Sequence, residues 1–187
     1  MMHQFNKKNI FVTGALHVGK STIVDRVLER YANLKIGGFK TKPIFIDRER
    51  TGFTFQSLDG RAKVFAHTGM NSQDVFDIYR FDLSVFETLG VEVLQQAIAS
   101  AELIIMDEIG EMEKNAAQFK RMILACLDSP CFILGAVQKR STWFLDLISK
   151  RTDTDLIQVT ETNRSEIPDL ICFHESHSGD SISCRYQ

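Results

Sequence analysis

The run from Asn9 to Leu28 limits this chain more than any other stretch. A short apolar segment, Ile10-Phe11-Val12, enters the loop Gly14-Ala15-Leu16-His17-Val18-Gly19-Lys20-Ser21 and leaves it as an amphipathic helix. The pattern is G-x-x-x-x-G-K-[ST]. Main-chain N–H groups converge on a phosphate, the glycines let the backbone bend and approach closely, and the helix N-terminus adds positive potential. At ordinary residue frequencies a chain of this length carries the pattern by accident in under about 1% of cases. Behind the loop, Ile23, Val24, Val27, Leu28 and Tyr31 fall on one helical stripe, as an amphipathic helix requires. In such a loop Lys20 reaches the β- and γ-phosphates, and the Ser21 hydroxyl can sit on Mg²⁺.

A phosphate loop alone only binds, and chemistry needs a metal partner and a means of placing water. Leu103-Ile104-Ile105-Met106-Asp107 is an apolar run ending in a carboxylate. A buried central strand delivers an acid this way to its C-terminal edge, where α/β sheets bind ligands. Asp107 is therefore expected to hold Mg²⁺ opposite Ser21. The adjacent Glu108 points elsewhere, where a carboxylate can orient or deprotonate a water. Glu111 and Glu113 are alternative bases. Candidate cations for a γ-phosphate are Lys139, Arg140, Arg151 and Arg164, and Gln138, ending the next strand, is placed to contact the γ-phosphate or the water. Arg164 could instead lie in a simple helix start, because Asn163 with Glu166 also fits a capping box.

At 187 residues the chain suits one domain, 1–187, with a polar tail from about 175. Hydrophobic content of 44% and charged content of 25% fit a soluble globular protein. A formal net charge of -2 gives no reason to expect a broad nucleic-acid or anionic-membrane surface. The N-terminus has no apolar targeting segment, and no run approaches ~18 apolar residues. The expected setting is cytoplasmic. Cys126, Cys131, Cys172 and Cys184 form no C-x-x-C pair and fit reduced thiols. Cys172 to His177 holds several potential ligands but lacks a second pair at zinc-site spacing.

Along the chain, Lys35 to Ile46 is extended with a bend at Gly37-Gly38, Phe53 and Phe55 mark a second strand, Asp59-Gly60 a hairpin turn, and Val64 to Ala66 a third strand. A helix spans Leu83 to Ala101, with Ser84 and Glu87 as its capping box. Asn115 caps a helix bearing Phe119, Met122, Ile123, Cys126 and Leu127. Cys131 to Val137 is a buried strand, Thr142 to Lys150 a short helix, Leu156 to Val159 a strand, and Ile182 to Tyr186 a possible final edge strand. Alternating strands and helices predict α/β architecture in three layers, with a mostly parallel central sheet and a small antiparallel strand insertion.

These segments together resemble the cancer-related nucleoside-triphosphatase family of P-loop proteins. The resemblance rests on Gly14 to Thr22, on Gly37-Gly38-Phe39-Lys40-Thr41, Thr51-Gly52-Phe53 and Leu58-Asp59-Gly60, on Asp107-Glu108-Ile109-Gly110-Glu111-Met112-Glu113, and on Val159-Thr160 with Asn163-Arg164. It covers most of the chain to about Leu170. It implies a RecA-like sheet, slow Mg²⁺-dependent hydrolysis of several nucleoside triphosphates such as ATP and GTP, and nucleotide contacts from the loop and from Asp107, Glu108, Ile109 and Gly110. The family loop usually reads Gly-x-Pro-Gly-x-Gly-Lys-Thr. Here Leu16, His17 and Ser21 depart from it, and the Cβ of His17 is expected to affect rate more than binding. Two other functions share the loop: a nucleotide or small-molecule kinase, and a nucleotide-dependent switch or nucleic-acid-associated module. The Asn-Lys-x-Asp motif of GTPase switches is absent.

Overall fold

The computed structural model describes residues 4–173. Its elements in chain order are β1 (Asn9–Gly14), α1 (Lys20–Arg30), β2 (Ile36–Ile46), β3 (Glu49–Ser57), β4 (Ala62–His67), β5 (Val75–Phe76), β6 (Tyr79–Phe81), α2 (Val91–Ser100), β7 (Leu103–Ile109), α3 (Ala117–Asp128), β8 (Phe132–Gln138), α4 (Thr142–Ile148), β9 (Thr154–Val159) and α5 (Ile167–Leu170). The nine strands among the described residues make one sheet in the order β5-β6-β4-β3-β2-β7-β8-β1-β9. The half from β2 to β9 is parallel, and β3, β4, β6 and β5 extend it antiparallel. This is the α/β P-loop fold with RecA-like strand order. The expected antiparallel insertion is present and longer than the sequence suggested, by β5 and β6.

Alternation along the parallel strands sorts their side chains into two apolar layers. Phe11, Ile104, Met106, Ile133 and Val137 face α2, α3 and α4, and Ile10, Val12, Ile105, Leu134 and Ala136 face α1 and α5. From α1, Ile23, Val24 and Val27 are buried, each worth about 1.5–3 kcal/mol of transfer free energy. On the opposite layer Phe39, Phe55, Phe86 and Phe119 pack ring against ring, the first two stacked at 4.8 Å. No helix among the described residues is long and apolar enough to cross a membrane.

Several local expectations are corrected. Gly37 and Gly38 form no bend. They lie within β2, where a Cβ on Gly38 would strike the Ile105 backbone and one on Gly37 would sit 2.9 Å from the Ala97 Cβ. Close approach of α2 requires Gly37, and close approach of β7 together with a positive φ of 106° requires Gly38. The long helix before β7 is interrupted near its start by a π turn, Phe86–Gly90, and runs on as α-helix from Val91. Ser84 and Glu87 make no capping box. Asp82 Oδ1 accepts from the Ser84 N–H and hydroxyl, and Glu87 Oε2 accepts from the N–H groups of Gln118 and Phe119 at 2.8 and 3.3 Å. Glu87 therefore caps α3, and Asn115, expected there, lies in a preceding 3-10 turn, Met112–Asn115. Asn163 makes no capping box with Glu166 either: its Oδ1 accepts from Thr160 N–H and its Nδ2 donates to Gln158 O. The possible strand Ile182 to Tyr186, and the Cys172 to His177 cluster beyond Phe173, lie outside the described residues.

Candidate active site

β1 lies between β8 and β9, in register with both, so that Gly14 sits opposite Gln138 on one side and Val159 on the other. A Cβ at Gly14 would fall 2.7 Å from the Val159 carbonyl oxygen. Only glycine lets the loop leave the sheet so close to its neighbour. Beyond it His17 adopts φ 61° and Gly19 φ 109°. The left-handed conformation suits glycine and costs a Cβ-bearing residue about 1–2 kcal/mol, so His17 holds its place in the loop at a local expense. Val18 is buried in the α1 layer and anchors the loop, while Leu16 is 62% exposed. Lys20 opens α1 and is itself buried, with its Nζ 3.2 Å from Ala15 O and 3.0 Å from Glu108 Oε1.

The acidic strand end meets this loop directly. Ser21 Oγ donates to Asp107 Oδ1 at 3.0 Å, although 86 residues separate them. Asp107 is 2% exposed. Burial pushes its carboxyl up to about 6; the Ser21 bond pulls it back, neighbouring Glu108 and Asp25 raise it and Lys40 lowers it. A desolvated carboxyl beside a hydroxyl is a hard-oxygen pair that a small divalent cation would relieve. The donor set suits Mg²⁺, which takes one or two protein oxygens and completes its shell with water and phosphate oxygens. No group of three or more His, Cys, Asp or Glu able to hold a metal occurs among the described residues. The Asp107–Glu108 peptide is cis, and the β7·β8 register shifts between Asp107 and Ile109. Glu108 leaves the ladder there and faces Lys20.

Behind Glu108 the chain is fixed at Gly110. Its N–H donates to Glu113, and its carbonyl accepts from Ser141 Oγ and from Trp143 Nε1, both at 3.0 Å. A Cβ on Gly110 would lie 2.7 Å from the Gln138 amide carbon. Burial pushes the Glu113 carboxyl up to about 7, against the pull of the Gly110 N–H, with Glu108 and Glu111 adding to the rise. Neither Glu111 nor Glu113 lines the cleft described below, and Glu111 lies 3.5 Å from Lys114 Nζ. Glu108 is the carboxylate beside Lys20 at the phosphate-loop end of the cleft, and Asp77 lines it from the antiparallel insertion. Gln138 reaches it too, with a buried Oε1 that has no hydrogen-bond partner. Ser141, Trp143 and the role of Glu113 at Gly110 escape sequence inspection. The only local signal is a run of polar residues after β8.

A cleft of about 650 Å³ joins these parts. Gly14 to His17, Gly19 to Thr22, Glu108, Gln138 and Lys139 line one end, and side chains of the antiparallel insertion, with Arg140 over Phe76, line the other. Val18, Asp107, Ile109 and Gly110 lie behind that lining. Arg164 is outside the cleft: its Nη1 approaches Val18 O at 3.5 Å, and it borders a smaller recess of about 220 Å³ with Gly19, Thr22 and Arg26. Arg151 is not near the phosphate loop at all. It pairs with Asp128 and Asp153 and donates to Leu127 O. Its distance along the chain from β8 concealed that it sits at the opposite edge of the sheet.

The chain is similar to known proteins over most of its length. The sequence profile of a family described as NTPase matches residues 9–172. A nucleoside-triphosphatase THEP1 of Thermotoga sp. (strain RQ2) is 32% identical over 158 residues, covering 84% of this chain and 90% of the relative. That of Thermofilum pendens is 31% identical over 166 residues, covering 86% and 91%. The crystal structure of THEP1 from Aquifex aeolicus superposes with a TM-score of 0.76 at 27% identity, covering 86% of this chain and 95% of that one. The solution structure of a human cancer-related nucleoside triphosphatase gives 0.71 at 26%, covering 86% and 93%.

Proposed function

From the premise that this chain belongs to the NTPase family, we propose that it hydrolyses nucleoside 5′-triphosphates to the diphosphate and phosphate with Mg²⁺, slowly and with broad base tolerance. The observation that carries this reading is the meeting of Ser21 with Asp107 and of Lys20 with Glu108 in one place. Ser21 and Asp107 would hold Mg²⁺, which when bound neutralises charge on the β- and γ-phosphate oxygens. The main-chain N–H groups of residues 14–22 cradle the phosphates. Lys20 spans the gap between that cradle and Glu108, so its ammonium serves the β- and γ-phosphates from a fixed position. Glu108 accepts the proton of the attacking water as the water oxygen bonds to the γ-phosphorus. The bond to the β–γ bridging oxygen breaks, and the diphosphate leaves. Gln138 Oε1, a buried acceptor without a protein donor, orients the water. On the α-phosphate side, Arg26 and Arg164 border a recess with Thr22, Ile23 and Ser165, where any base can stack on a guanidinium plane. That composition supports tolerance of several bases.

Phosphate release from ATP, GTP, CTP and UTP with Mg²⁺ tests the reading. All four are expected to turn over, Lys20→Ala to abolish release, and Glu108→Gln to lower it by about 10²–10⁴, the range for loss of a general base, while still binding nucleotide. Full activity in Lys20→Ala, or unchanged single-turnover hydrolysis in Glu108→Gln, overturns the assignment.

A further inference from the structure

The phosphate loop occupies only one end of the main cleft. Its polarity is fixed by the loop: the β- and γ-phosphates lie at Lys20, and the nucleoside side lies toward Thr22 and the Arg26–Arg164 recess. The rest of the cleft is therefore on the γ side, beyond Glu108, and the antiparallel insertion builds its walls from Arg50, Phe53, Phe76, Asp77 and Tyr79, with Arg140 lying on Phe76. A path for water alone needs no such walls.

Their chemistry is specific. Arg50 lies over the Phe53 ring at 5.2 Å, and its Nε donates to Tyr79 Oη at 3.1 Å. Phe53 and Tyr79 are edge to face at 5.2 Å. Arg140 lies over Phe76 at 4.5 Å. Both guanidiniums are thus positioned by aromatic faces, and among the described residues neither is paired with a carboxylate. Two oriented arginines are suited to a phosphate, through paired N–H donors. Phe53, Phe76 and Tyr79 line the same cleft as the two arginines and give it an apolar wall suited to a planar ring, and Asp77 offers an acceptor for a hydroxyl or amino group.

We propose that this chamber is a second ligand site, for a nucleoside 5′-monophosphate bound beside the γ-phosphate, its phosphate on Arg50 and Arg140 and its base against the Phe53–Tyr79–Phe76 wall. The inference rests on the placement of the γ-phosphate next to Glu108 given above.

The test uses the full chain saturated with Mg²⁺ and the non-hydrolysable β,γ-imido analogue of ATP, so that binding is measured without turnover. AMP, GMP, CMP, UMP and dTMP are titrated calorimetrically, each beside its phosphate-free nucleoside. The expected result is that at least one monophosphate binds once per chain without releasing labelled imido analogue. Its nucleoside should bind at least tenfold more weakly, as should the monophosphate to Arg50→Met, with partial recovery in Arg50→Lys. Arg140→Met, on an exposed loop, makes the same measurement independent of the β3 packing should Arg50→Met fold poorly. No binding by any of the five, binding that displaces the analogue, or binding indifferent to both arginines overturns the site. A parent chain that still releases phosphate from ATP in that case leaves the hydrolytic reading standing, which separates the two failures. With ATP in place of the analogue, conversion of the bound monophosphate to its diphosphate identifies it as an acceptor. Its phosphate oxygen then bonds to the γ-phosphorus as the bond to the β–γ bridging oxygen breaks. A monophosphate that binds unchanged occupies the same site as an effector.

Discussion

Glu113 shows how one buried side chain can hold a site that it does not enter. Its carboxylate takes the Gly110 N–H, Ser141 and Trp143 take the Gly110 carbonyl, and Gln138 packs over the same residue. The strand end that presents Glu108 is thereby fixed on both main-chain groups of a residue two positions beyond it. The arrangement carries an electrostatic burden, since burial holds Glu113 near 7 instead of 4.5. Between those values the unfolded carboxyl has lost its proton while the folded one keeps it, so the folded state binds more protons and stability falls as pH rises through that window, levelling off above it. Glu113→Gln keeps an acceptor for Gly110 and cannot ionise. The stability of the parent relative to this variant is expected to decline from pH 5 to pH 8, by up to ~3 kcal/mol from the size of the shift. Urea unfolding of both proteins at several pH values measures this difference, in which all other titrations cancel. Parallel pH curves would show that Glu113 is ionised in the fold.

Elements differ in how openly the sequence declares them. Runs such as Leu103 to Met106 and the stripe of α1 are legible because the burial that defines them repeats at a strand or helix period. The strands β5 and β6 have two and three residues, too few for a period, and exist because β4 offers an edge to pair with. Capping failed for a related reason. Ser84-x-x-Glu87 has the local form of a box, but Glu87 is drawn to a helix 31 positions away, and Gly90, against which a Cβ would meet the Phe119 ring at 2.8 Å, lets the π turn approach that helix. The site followed the same division. The loop and Asp107-Glu108 are contiguous motifs and were legible, whereas the clamp on Gly110 and the aromatic chamber are assembled from segments far apart in sequence. If Glu87 caps α3, Glu87→Ala should cost about 1 kcal/mol and lower Tm by about 2–4 °C, with much less loss in Glu87→Gln. Hydrogen exchange discriminates further: the amides of Gln118 and Phe119 should lose protection, and those at the start of α2 should not. The reverse pattern would restore the local box.

At the scale of the molecule, the sheet aligns chemistry drawn from distant parts of the chain. Gly14 is in register with Gln138 and Val159, Asp107 with Lys40 and Ala136, so the loop after β1 and the ends of β7 and β8 share one edge of the parallel half. The chain runs from β1 to the far side of that half and returns through β7 and β8 to finish at β9, so a ligand at this edge contacts segments that only the complete sheet brings together. Binding there acts on global stability by mass action. A non-hydrolysable triphosphate with Mg²⁺ at about 100 times its Kd should add about 2.7 kcal/mol and raise Tm by about 5–10 °C for a domain of this size. Most of the difference between shifts with and without Mg²⁺ should depend on Asp107. Asp107→Asn keeps an acceptor for Ser21 while removing the ionisable group that burial holds near 6. The variant without ligand is therefore expected to be at least as stable as the parent at neutral pH, and its ligand-induced shift should gain little from the metal. Thermal unfolding of both proteins, with nucleotide analogue alone, Mg²⁺ alone and the two together, separates intrinsic stability from metal-dependent binding. An Asp107→Asn variant that retained the full Mg²⁺ increment would move the ion away from the contact between α1 and β7.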